Sequence, residues 1–230
     1  MNRRKFLKTG TALCLAGLAG CDQLEDESIP YPDARVPEFS SENLHRLLDE
    51  LLEAYESKGM RVSETLLPPH SESELRERCQ WFPGELSPEI ISLYTWRGGQ
   101  ASDAWVTEFP FWFRDNSFSN LEYAEQSYKS IMATYGLFPQ DRELLKYSFP
   151  FAEFNGGWYI LPTRGLAPGT QLKAPVISVL EGVVIYYYSI EAMVQTCIDW
   201  VNHELYSAES SLPDTVEIEI WRKHNPGIFE

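Results

Sequence analysis

The sequence predicts an α+β domain in which an antiparallel sheet of about four to six strands is packed by helices on one side. Two apolar runs, "FAEFNGGWYILP" and "VISVLEGVVIYYYS", each double back on a glycine-bearing turn, at Asn155-Gly156-Gly157 and near Glu181-Gly182, as antiparallel hairpins do. Around them lie stretches with apolar residues at helical spacing behind Ser-type caps. The length of 230 residues and the 43% hydrophobic fraction suit one sizeable core or two small ones, and one domain with a tether is expected.

The elements follow in order. Leu44, Leu47, Leu48, Leu51, Leu52 and Tyr55 form one stripe of a helix over about residues 41–57, with Gly59 just beyond. Met60 to Leu67 reads as extended, up to Pro68-Pro69. Ser71 and Glu74 then make a capping-box pattern for a short helix through Cys79. Ser87 caps the next helix, with Pro88 at its first position and Gly98-Gly99 at its end. Two short helices thus flank "QWFPGEL". "DAWVTEFPFWFR", residues 103–114, is aromatic and interrupted by Pro110, which fits an edge strand or a covering loop. Ser119 with Glu122 opens a helix through Tyr135, and "PQDRELLKYSFP" then leads to the hairpins. Ser189 begins a long helix to about Tyr206. In the tail, Asp214 and Glu217 favour a capped helix, although Val216, Ile218 and Ile220 alternate like a strand.

The first twenty residues have a different character. Arg3, Arg4, Lys5 and Lys8 precede an apolar segment from about Thr9 to Ala19, shorter than the roughly 20 residues that span a bilayer. This is the pattern of a removable signal. Leu18-Ala19-Gly20-Cys21 resembles a bacterial lipobox, cleaved between Gly20 and Cys21, with Cys21 carrying the lipid, including palmitate-type acyl chains. Arg3, Arg4, Phe6 and Leu7 resemble a twin-arginine export motif that departs from the pattern at Asn2, while the general secretory route also accepts such a basic start. The expected division is therefore a signal peptide over 1–20, a lipidated N-terminus and flexible linker over 21–38, and a single globular domain over 39–230. Three prolines and early acids in "DQLEDESIPYPDARVPE" suit that linker. The expected place is a bacterial cell membrane, lipid-anchored at the periplasmic or outer face, with Asp22 favouring the inner membrane.

The formal charge is -15, and falls to -19 without residues 1–20, which carry four bases and no acid. Such a field repels phosphate backbones and attracts basic protein surfaces, so no nucleic-acid partner is expected. Solubility is the other use of that charge. Beyond Cys14 and Cys21 the chain holds Cys79 and Cys197, which an outer-face location permits to form a disulfide. Their apolar-face positions equally suit two buried free thiols.

No motif assigns an activity. His45, His70, His203 and His224 are scattered, so no metal site is expected, and His203-Glu204 reads as an exposed pair on a helix. Neither a nucleophile elbow nor a phosphate-binding loop is present, and no cofactor is expected. The glycines of Gly98-Gly99 and Gly156-Gly157 answer to turn geometry. Trp81, Trp96, Trp105, Phe109, Phe111, Trp112 and Phe113 crowd about thirty residues and serve equally as core or as interaction hot spots. The expectation is a mixture, with alternate members in the core and one or two of Trp105, Phe111, Trp112 and Phe113 at a surface groove.

"PPHSESELRERCQWFPGELSPEIISLYTWRGG" resembles the start of SUKH-superfamily domains, the family of the fungal cell-wall assembly regulators, through Pro68, Pro69, Leu75, Leu86, Pro88, Ile91, Leu93, Tyr94 and Gly98. "LKYSFPFAEFNGGWYILP" is similar to that family's strand pair. The likeness covers about residues 60–206 and implies a SUKH-like single domain without catalysis. Bacterial members are commonly immunity proteins that bind and block a toxin. The resemblance therefore implies a binder whose partner is a protein, such as a basic toxin, with Trp96 and Arg97 in the family's polar loop position and Trp105, Phe111 and Trp112 nearby as candidate contacts. Trp96-Arg97 departs from the His-Asn that many members carry there. Two alternatives stand beside it: an envelope regulatory or scaffolding lipoprotein that binds wall components, and a hydrolase or transferase with a dispersed site.

Overall fold

The computed structural model describes residues 39–101, 111–112, 116–135, 139–154, 157–163, 174–180, 182–207 and 212–228. These belong to a compact unit spanning Val36–Glu230. The signal, lipidation and export residues Arg3, Arg4, Phe6, Leu7, Gly20 and Cys21 lie outside the described residues, as does Trp105. Among the described residues no helix is long and apolar enough to cross a membrane.

Helix α1 (Ser41–Ser57) starts because Ser40 accepts the amide of Asn43 at 3.2 Å, and it buries the Leu44, Leu47, Leu48, Leu51, Leu52 and Tyr55 stripe. Residues Val62–Thr65, expected to be extended, instead form a 3-10 turn. Short-range bonds favour it: the Thr65 hydroxyl donates to the Val62 carbonyl and Ser63 donates to Glu56, while Met60 and Val62 still point inward. Helix α2 (Glu72–Arg78) has the reciprocal Ser71/Glu74 capping box. The Ser71 amide and hydroxyl, donating to Glu74 Oε2 at 2.7 and 2.8 Å, hold the Glu74 carboxyl below its usual range. Helix α3 (Pro88–Trp96) carries Pro88 at its start behind Ser87. At its end only Gly99 has positive φ, +90°, whereas Gly98 is required because a Cβ would lie 2.6 Å from the Pro68 carbonyl oxygen.

A short strand β1 (Ser117–Phe118) precedes α4 (Leu121–Thr134), whose cap is Asn120, accepting from Glu122 and Tyr123, and not Ser119. Helix α5 (Pro139–Lys146) follows, an element without a sequence assignment. Then come β2 (Ser148–Phe154), β3 (Gly157–Pro162), β4 (Val176–Val179) and β5 (Val183–Tyr187), α6 (Ile190–Asn202) and α7 (Asp214–His224). The tail is therefore helical. Its Trp221 indole donates to the Tyr186 carbonyl and Asn225 accepts the Tyr188 amide, closing α7 over the end of β5.

The sheet is antiparallel throughout, in the order β1-β2-β3-β4-β5, as the paired hairpins predict. A bulge between Pro150 and Ala152 accommodates a proline within β2 and turns Ala152 into the same core as Phe149 and Phe151. On that face the larger core joins α1, α2, α3, α6 and α7 to the sheet, with α1 packed along α6. The helical arrangement goes beyond one side. Ile160 and Ile177, paired across β3 and β4, pack with Ile131 of α4 and Leu145 of α5 in a smaller cluster. Side chains alternate along a strand, so these belong to the opposite face from Tyr159 and Leu161. Strands that are apolar on both faces must be covered on both.

Candidate functional site

The expected contact residues sit mainly inside. Phe111 and Trp112 are 0% exposed and Trp96 is 5% exposed, so these three are core and not a surface groove. Their rings explain it: Phe111 and Trp112 meet edge to face at 4.4 Å between centroids, Trp112 adjoins Phe118 and Phe151, and Phe111 adjoins Trp96. The Trp96 indole donates to Asp49 at 2.8 Å, and Arg97 lies over the Trp96 ring, 5.2 Å from its centroid. Of the predicted contacts among the described residues, Arg97 alone is placed partly in solvent.

Cys79 and Cys197 are both free and buried. Burial pushes the Cys79 thiol up to about 11. The histidines do not converge. His45 Nε2 bonds the Ser92 carbonyl, His203 Nδ1 accepts the Leu205 amide, and His224 Nε2 meets Asp199 at 2.8 Å. Lys223 shares that carboxylate at 2.6 Å, tying α7 to α6. Among the described residues no three His, Cys, Asp or Glu side chains are grouped as metal ligands.

Among the described residues an opening lies around Trp81, in the "QWFPG" loop after α2. Phe82 bonds back to the Cys79 carbonyl at 3.0 Å, and Gly84 lets the loop close, since a Cβ there would come within 2.8 Å of the Phe82 ring and Thr163. This turn holds Trp81 half-buried, its centroid 5.4 Å from both Tyr128 of α4 and Phe149 of β2. Tyr128 donates to the Lys146 carbonyl at 3.1 Å, fixing α4 against α5. Burial first, then Tyr147, raises the Tyr128 hydroxyl above its usual value, so it stays a neutral donor.

Between these elements lies a groove of about 480 Å³. Trp81, Pro83, Tyr128 and Met132 form its apolar lining; Arg142, Glu143 and Lys146 of α5 supply its charge. Arg142 and Lys146 share a helix face by their spacing of four, while Leu145 anchors that helix in the smaller core. A wall of flat, rigid aromatics beside two cations suits capture of a side chain. Trp81 belongs to the aromatic run evident in the sequence. Its place just before Pro83 and Gly84, in a loop between short helices, was the available signal that it is not on a helix face.

No protein-family model matches the chain, and no curated protein matches it.

Proposed function

We propose that this chain is a membrane-tethered, non-catalytic protein-binding module of SUKH type, acting as an immunity protein that binds and neutralises a toxin or effector at the outer side of the bacterial membrane. The observation that carries the reading is the groove beside Trp81, a half-buried aromatic flanked by Tyr128 and Met132, which is the surface chemistry of a binding hot spot. Three further features support it: the lipobox ending at Cys21, the proline-bearing linker after it, and an acidic body whose field draws basic proteins. Order and spacing in the SUKH-like stretch agree with the α2, α3 and hairpin elements.

The test has two arms on the full chain. Labelled palmitate is incorporated, and Cys21→Ser abolishes both incorporation and membrane partitioning. Host cells exposed to the effector encoded beside the chain survive when it is present and die when it is deleted. Survival without the chain overturns the immunity assignment. The same location supports a second reading, an envelope regulatory lipoprotein, which predicts cross-linking to wall components or wall enzymes instead.

A further inference from the structure

Resting on the binding reading above, we propose that the groove beside Trp81 takes an acidic peptide segment of the partner, bearing one aromatic or large aliphatic side chain. The argument begins with how the cations are used. Arg46, Arg61, Arg76, Lys129 and Lys223 each sit 2.6 to 3.3 Å from a carboxylate. Arg142, like Arg78 and Arg222, has no such partner among the described residues, and Lys146 lies over the Tyr147 ring at 4.9 Å; Arg142 and Lys146 differ from the others in lining one wall of the groove. In a chain with 34 acids and 19 bases, two uncommitted cations one turn apart on a single wall are the reverse of the average surface. They complement an anion.

The opposite wall is apolar. Trp81, Tyr128 and Met132 offer ring faces and a thioether to one inserted side chain, and about 480 Å³ is room for that side chain with its near neighbours. Glu143 on the same helix opposes a dense polyanion, and the acidic field of the whole chain repels nucleic acid, which leaves spaced carboxylates on a peptide. The two scales of charge act differently. The long-range field steers a basic partner inward, and the local cations fix which acidic segment of it docks.

The probe is a fluorescein-labelled peptide with one phenylalanine flanked on each side by aspartate and glutamate, titrated into the full chain in detergent micelles and read by anisotropy. Saturable binding is expected, weakened about tenfold in the double variant Arg142→Glu, Lys146→Glu, and unchanged in Arg46→Glu on α1. Circular dichroism checks that each variant is folded, and Trp81→Phe should weaken binding while preserving the aromatic packing. Absence of saturable binding, equal binding of a lysine-flanked peptide, or full binding by the charge-reversed variant overturns the proposal. So does N-acetylphenylalanine binding as tightly as the peptide, since the groove would then be a small-molecule site. A partner protein retained by the charge-reversed variant removes the groove assignment and leaves the binding module; probe binding without any protein partner does the opposite.

Discussion

The Trp96 indole nitrogen donates to Asp49 Oδ1 at 2.8 Å, joining the end of α3 to the middle of α1. This bond makes Trp96 a structural tie between helices, because an almost buried indole N–H requires an acceptor. Asp49→Ala should lower the unfolding free energy by about 1–2 kcal/mol in urea titration, the cost of orphaning a donor bonded to a charged group. Asp49→Asn, which keeps an oxygen in place, should lose less. No loss in either variant would mean that water satisfies the indole.

Gln100 is the polar hub beneath the aromatic core. Its Oε1 accepts the amides of both Phe111 and Phe118 at 3.0 Å, and its Nε2 donates to Thr65 at 2.8 Å. Gln100→Leu would strand two buried amides and should cost about 3 kcal/mol or more, seen as a lower thermal midpoint. Gln100→Glu keeps the acceptor and loses the donor, so it should fall between the two.

Asp199 holds Lys223 and His224 together, and its acidity reports that contact. Burial raises its carboxyl, but the bonds from Lys223 and His224 outweigh this and leave it below the ordinary aspartate range. A lowered folded value means that the stabilisation is present above the ordinary value near 3.8 and disappears as pH falls through the folded one. Asp199→Asn should therefore lose up to about 1 kcal/mol near neutral pH, after allowing for solvent screening. The difference from the parent should shrink toward zero in acid. A pH-independent difference would assign the loss to packing.

Cys79, with its thiol pushed up to about 11 and its side chain enclosed near Phe82, should resist maleimide at pH 8 in the folded chain. Cys197, 1% exposed, should resist as well. Both should label fully in denaturant without a reductant, resolved from Cys14 and Cys21 by peptide mass. Labelling that requires a reductant would establish a disulfide.

The local elements were readable because their causes are local. Ser40, the Ser71/Glu74 pair, Ser87 with Pro88, and Ser189 each satisfy amides a few residues away, and a helical period of apolar residues needs no distant partner to be recognised. The same holds for the hairpins, whose antiparallel pairing follows from a short turn between alternating strands. The α5 helix escaped because its eight residues are mostly polar and, among its described side chains, only Leu145 is fully buried.

The chain by itself determined most of its helices, the capping box of α2, the Ser87 and Ser189 caps, the antiparallel hairpins and the acidic charge, all of which depend on neighbours in sequence or on composition. Tertiary structure decided which aromatics remain accessible and which face of the sheet receives a second helical layer. Trp112 is enclosed by Phe118 and Phe151, whereas Trp81 meets Tyr128 and Phe149 on one side and leaves an open groove on the other. Pro83 and Gly84 mark Trp81 as a loop residue, but no window of sequence fixes its exposure, because burial is set by which distant side chains arrive, and Trp81 and Arg142 become neighbours across the groove only when α4 and α5 close on the sheet.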